Sequence, residues 1–275
     1  MPLPVALQMY SVRDQLSKDY VATLQKVKAI GYDYAELAGL ANKSAGEIKK
    51  LYQDAGLSII SAHVPLAELL NDTEKTLSDY ATIGCSYVAV PWIEKERRPG
   101  HAGFEPTIAD ITKVGKVAKE LGIVLLYHNH DFEFVKIDGK YALDIMYETI
   151  PSDILQTEID TCWVHYAGVE PAGYLKKYKG RAPVVHLKDF TATDAPSSET
   201  PYDLIMENAP KAATREQRSF EFQPLGYGKQ DIPSLLKAAE FVEAKYVVVE
   251  QDQSIRRTSL EDAALSRETL RKYGW

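Results

Sequence analysis

Cysteine is nearly missing from this chain of 275 residues: Cys85 and Cys162 stand far apart and form no CxxC pair. No zinc or redox motif can be built from that spacing, and both thiols are expected to lie buried in or beside strands. Long apolar runs are missing too. No stretch reaches the roughly 18 apolar residues of a membrane span. The opening MPLPVALQMYSVRD lacks the basic and apolar segments of a signal peptide. These absences predict a soluble, cytoplasmic protein with no membrane partner. Basic runs are also wanting, with 32 Lys and Arg against 39 Asp and Glu and a formal net charge of -7. An acidic chain of this kind makes a poor binder of phosphate backbones, so no nucleic-acid partner is expected. Finally, no GxGxxG follows the first apolar segment, which argues against a dinucleotide-binding open sheet.

What the chain does have is one layout repeated: a short apolar run followed by polar residues with chemistry. The clearest case is IVLLYHNHDFEF over 123–134, where a run fit for a strand buried on both faces leads into His128, His130, Asp131 and Glu133. Similar runs span 4–10, 32–37, 57–64, 86–93, 154–160, 183–190 and 245–252. Helical patterns lie between them, several closed by glycine. Eight strands alternating with helices predict a closed (β/α)8 TIM barrel, a single α/β domain over 1–275, whose active site gathers at the C-terminal strand ends. Gln8, Tyr10, Glu36, His63, Trp92, His128, His130, Glu158, Asp160, His186, Lys188, Glu250 and Asp252 all fall at those ends. An insertion at about 191–230 follows the seventh strand, hence emerges at the same face, and is expected to cover the site or pack on a neighbouring subunit.

The motifs LQMYSVRD, SAHV, YHNHDFEF, EIDTCWVHYAG, HLKDF, PLGYGKQD and VVVEQD, spread over nearly the whole chain, resemble those of the xylose isomerase-like TIM barrel superfamily. That superfamily includes sugar isomerases and epimerases, inosose dehydratase, hydroxypyruvate isomerase and endonuclease IV. The resemblance implies one divalent metal ion held by a Glu, an Asp, a His and a second Glu. By motif these are Asp160, His186 and Glu250, with the first Glu matched least well. Glu133 is taken as that ligand, with His128 or His130 as alternatives. Carboxylate oxygens with an imidazole suit Mn²⁺, Mg²⁺, Co²⁺ or Zn²⁺.

The implied function is a metal-dependent carbohydrate isomerase or epimerase that removes a proton next to a carbonyl. The alternative is a dehydratase or lyase on a keto-sugar, keto-glycoside or inosose, toward which the histidines of the fifth strand tilt the reading, since elimination needs an acid as well as a base. Glu250, His128, His130 and Glu158 are the candidate proton-moving groups. Substrate contacts are assigned to His63, Lys188, Tyr10, Glu36 and Trp92, although Lys188 reads equally as an ion-pair partner of Glu158 or Asp160, and Trp92 as core. A nuclease like endonuclease IV fits poorly, for it needs several metals and a basic face. The expected partner is a small sugar or sugar derivative, and a homo-oligomer is compatible with the sequence.

Overall fold

The computed structural model describes residues 2–193 and 219–275. Eight parallel strands close a barrel: β1 (Val5–Gln8), β2 (Tyr34–Ala38), β3 (Ser58–His63), β4 (Tyr87–Val90), β5 (Val124–His128), β6 (Gln156–Asp160), β7 (Val184–Leu187) and β8 (Tyr246–Val249). Each pairs with its sequence neighbours, and β1 closes the ring against β8 with Val5 opposite Val247. The helices wrap the outside. Their ends follow the sequence closely: Asp19 caps Tyr20–Ile30 by accepting from Ala22 N, and Gly31 closes it at φ +103°, a conformation that favours glycine. A capping box between Ser44 and Glu47 starts Ala45–Asp54.

Period two along each strand divides the barrel interior into layers. Tyr34, Tyr87, Val124 and Tyr246 border the bottom of a small apolar plug made of Ala6, Ile60, Ala89, Leu126, Val184 and Val248. The next inward positions, two residues on, are Gln8, His128, His186 and Glu250, all buried. The larger apolar cluster lies outside the strands, under the helices. The plug is therefore thin, and the polar layer rests directly on it.

Several features escape the sequence pattern. Leu66–Asn71 and Thr161–Tyr166 are short helices. The two legs of the insertion pair as an antiparallel ribbon, Asp189–Ala192 with Phe220–Gln223. The lid expected of this insertion falls, over 194–218, outside the described residues. Both cysteines are free and buried. Among the described residues no helix is long and apolar enough to cross a membrane.

Candidate active site

At the C-terminal mouth lies a cavity of about 590 Å³, in the range of small-molecule sites. Tyr10, His63, Trp92, His128, His130, Lys188, Glu250 and Asp252 line it, joined by Pro65 and Glu68 from the unanticipated helix after β3. Its floor is a charged network. His186, from the middle of β7, lies with Nε2 2.7 Å from Glu36 Oε1 and Nδ1 3.0 Å from Glu250 Oε2. His63 Nε2 is 2.7 Å from Glu158 Oε2 and 3.1 Å from Glu36 Oε1. Lys188 Nζ sits 3.1 Å from Asp160 Oδ2, 2.9 Å from Glu250 Oε2 and 2.9 Å from Asp252 Oδ2.

Burial opposes every charge here, so the sign of each shift shows which neighbours win. His63 overcomes its burial through Glu36 and Glu158 and rises to about 10. His186 rises well above the ordinary histidine value, again against burial, through the same two carboxylates. Burial holds His128 and His130 well below that value, reinforced by His186 at the first and Lys188 at the second. Glu158 is pushed up to about 7 by burial and the charge of Glu36. Glu250 falls below the usual carboxylate range because Lys188 and His186 outweigh its burial.

Not every residue read as part of the site faces the cavity. Glu36 has no exposed surface; it accepts from Gln8 Nε2 at 2.8 Å and from Ser61 Oγ, and serves as a support beneath His63 and His186. Glu158 is likewise enclosed below His63. Glu133 departs furthest from expectation. Its carboxylate turns away from the other ligand candidates and accepts from Tyr127 OH at 2.5 Å and from the backbone N–H of His130 at 2.8 Å. His128, not Glu133, lies beside Asp160, His186 and Glu250. The chain leaves β5 at His128 and turns at once, so that Glu133 folds back onto the strand it followed.

Ligand atoms of His128, Asp160, His186 and Glu250 all lie within 4.8 Å of one another. A second set, His63, His128, Glu158 and His186, satisfies the same limit. The first set is the better fit to a divalent ion. It carries two carboxylates, and Asp160 Oδ2 is buried without a hydrogen bond, 3.6 Å from His128 Nε2, although Lys188 Nζ stands near it. Asp160 itself is aimed by its neighbours: Oδ1 caps the helix Thr161–Tyr166 by accepting from Cys162 N and Trp163 N, while Asn129 grips its backbone at both N–H and C=O. Around His130 the walls are aromatic, with Trp92 at 4.9 Å, Phe132 at 5.4 Å and Trp163 at 5.1 Å between ring centroids.

Solved structures share this architecture. The chain is similar to a sugar phosphate isomerase/epimerase from Parabacteroides distasonis, with 24% identity, 98% of each chain covered and a TM-score of 0.74. It is also similar to the probable 3-DHS dehydratase AsbF of Bacillus anthracis, at 12% identity over 98% of this chain and 99% of that one, TM-score 0.76. A third likeness is to a xylose isomerase-like barrel protein from Mycobacterium smegmatis in complex with magnesium, at 16% identity over 98% and 96%, TM-score 0.68. In sequence, 85 residues are 32% identical to the inosose dehydratase of Clostridium perfringens, covering 30% of this chain and only 28% of that relative's length. The model of the xylose isomerase-like TIM barrel family matches residues 24–273, and the chain belongs to that family.

Proposed function

We propose that the protein is a divalent-metal-dependent carbohydrate enzyme that removes a proton next to a carbonyl, and that elimination is the outcome its site favours. One observation carries this reading. His63 and His130 both line the cavity and both adjoin His128, at 4.7 and 5.5 Å between ring centroids, so the site offers two separate imidazoles beside the candidate ligands rather than a pair of glutamates. His128, Asp160, His186 and Glu250 are the proposed ligands. Bound there, the ion would polarise the substrate carbonyl and make the neighbouring C–H more acidic.

The chain's own residues do the rest. His130, clamped by Trp92, Phe132 and Trp163, accepts the α proton through a ring nitrogen. His63, backed by Glu36 and Glu158, donates to the departing oxygen. Lys188 is fixed by three carboxylates and orients a substrate oxygen at the cavity wall, and Trp92 offers an apolar face to a sugar ring. Isomerisation or epimerisation is the second reading, supported by the similarity to the Parabacteroides structure over nearly the full chain.

The test is a panel of keto-sugars, keto-glycosides and inososes incubated with metal-loaded protein in heavy water and followed by NMR. Elimination predicts loss of the leaving group with an unsaturated product, and isomerisation predicts a new carbonyl position. Turnover that leaves the α hydrogen in place, or no turnover across the panel, counts against the proposal.

A further inference from the structure

We propose that the ammonium of Lys188 competes with the divalent ion for two carboxylate oxygens, and that Asp252 is the positioning residue that keeps the ammonium at the cavity wall when the ion is bound. The inference rests on the ligand set proposed above and concerns what holds Lys188 once that set is filled. Lys188 is buried, with Nζ 3.1 Å from Asp160 Oδ2, 2.9 Å from Glu250 Oε2 and 2.9 Å from Asp252 Oδ2. Asp160 and Glu250 are candidate ligands, whereas neither candidate set includes Asp252.

The oxygens that face the ammonium are the ones that face the ligand histidines. Asp160 Oδ2 lies 3.6 Å from His128 Nε2, and Glu250 Oε2 lies 3.0 Å from His186 Nδ1. Asp160 has no second oxygen to offer, since Oδ1 caps the helix Thr161–Tyr166. An ion held by Oδ2 and Oε2 therefore stands close to a second cation, in a buried place where charges are weakly screened.

Asp252 is the partner left to Lys188. The Lys188–Asp252 contact has the geometry of a hydrogen bond, while Asp160 Oδ2 accepts none. Its anchors are also independent of the ligand set: Arg13 donates to the Asp252 carbonyl at 2.8 Å, Gln251 N donates to Ser11 Oγ at 3.0 Å, and the Gln251 amide donates to Asp262 Oδ2 at 2.8 Å. Nζ also faces the rings of Trp163 at 5.5 Å and Phe222 at 5.7 Å, surfaces that suit a cation whichever carboxylate it keeps. Lys188 and Asp252 both line the cavity, so the ammonium on Asp252 stays within reach of a substrate oxygen.

The test is a double-mutant cycle read as Mn²⁺ affinity by calorimetric titration, with no substrate present. Lys188→Met is expected to bind Mn²⁺ about 10-fold more tightly than the wild type, and Asp252→Asn about 10-fold more weakly, because its lysine has lost the alternative partner. In the Lys188→Met background, Asp252→Asn is expected to change affinity by less than about 3-fold. Thermal unfolding checks that each variant is folded; Lys188→Gln, which can still donate to the carboxylates, replaces Lys188→Met if that variant does not fold. Equal or weaker binding without the lysine overturns the inference, and so does an equal effect of Asp252→Asn in both backgrounds, which would make Asp252 a through-space charge only. Should neither the wild type nor the lysine variant take up the ion, the proposed ligand set fails and the inference with it; saturable binding of equal affinity in both overturns the inference alone.

Discussion

Asp160 ends β6 and Asp189 follows the end of β7 by two residues, and neither has exposed surface, yet their oxygens are employed differently. All four hydrogen bonds of Asp189 come from backbone N–H groups and use both oxygens. Asp160 spends Oδ1 on a helix cap and leaves Oδ2 with no hydrogen bond, facing Lys188 and His128. Glu133 belongs with Asp189, since one oxygen accepts from Tyr127 in β5 and the other from the His130 backbone, which ties the loop to the strand. A buried carboxylate whose oxygens all accept hydrogen bonds is holding structure, whereas Asp160 keeps Oδ2 for charged neighbours, Lys188 among them, and can share it with a ligand.

The sharpest test is Asp160→Asn, which keeps Oδ1 as the helix cap and neutralises the open oxygen. Elemental analysis is expected to show ion content at background, and turnover is expected to drop on the order of 10³-fold with little change in thermal midpoint. Retention of the ion would put Asp160 among the structural carboxylates.

Asp189→Ala should do the reverse. Each buried donor left unmatched costs about 1–3 kcal/mol, so urea unfolding is expected to show a loss of several kcal/mol, while the folded fraction still binds its ion. An unchanged unfolding midpoint would mean that these hydrogen bonds contribute nothing.

His130→Gln separates proton transfer from metal holding: a fall in turnover of about 10²-fold with full ion content is expected. Loss of the ion would instead make His130 a ligand.

The smallest effect belongs to Glu133→Gln. Burial raises Glu133 to about 8, against about 4.3 for an unfolded glutamate. Between those values the folded chain keeps a proton that the unfolded chain has released, so stability falls as pH rises through the window and levels off above it. The variant lacks this dependence. Its stability relative to the wild type is expected to improve by about 1 kcal/mol or more between about pH 5 and pH 9, measured by urea unfolding. Parallel curves for the two proteins would show that Glu133 is ionised throughout.

The barrel and most of the mouth are legible in sequence because period two acts over a few residues: once β5, β7 and β8 are apolar runs, His128, His186 and Glu250 must point inward together. Glu133 is not legible in that way. Its placement depends on a turn that begins immediately after His128 and on a tyrosine six residues back, neither of which strand alternation encodes. Asp189 is hidden for a related reason. Its partners lie as far as Gln230, across the insertion, and the spacing of Gly226 and Gly228 reads as an ordinary turn until the carboxylate is seen between them. Helix Thr161–Tyr166 does carry a local signal, an aspartate immediately before its first residue.

The seam where β1 meets β8 has a bearing on how the molecule is made. Arg13 ties Tyr10 to Asp252, Ser11 Oγ accepts from Gln251 N, and Ser259 Oγ donates to Asp14 Oδ1, so the first βα loop and the last are laced together. Until β8 arrives, β1 carries an unpaired edge, and pairing over so long a separation is slow and leaves the nascent chain open to association with its own kind. The contact between Glu36 and His186, 150 residues apart, is equally late. During refolding, helices and neighbouring strands are therefore expected to form before any ion can be captured, and the moment of capture, followed with a spectroscopically visible divalent metal, would time the closing of the ring.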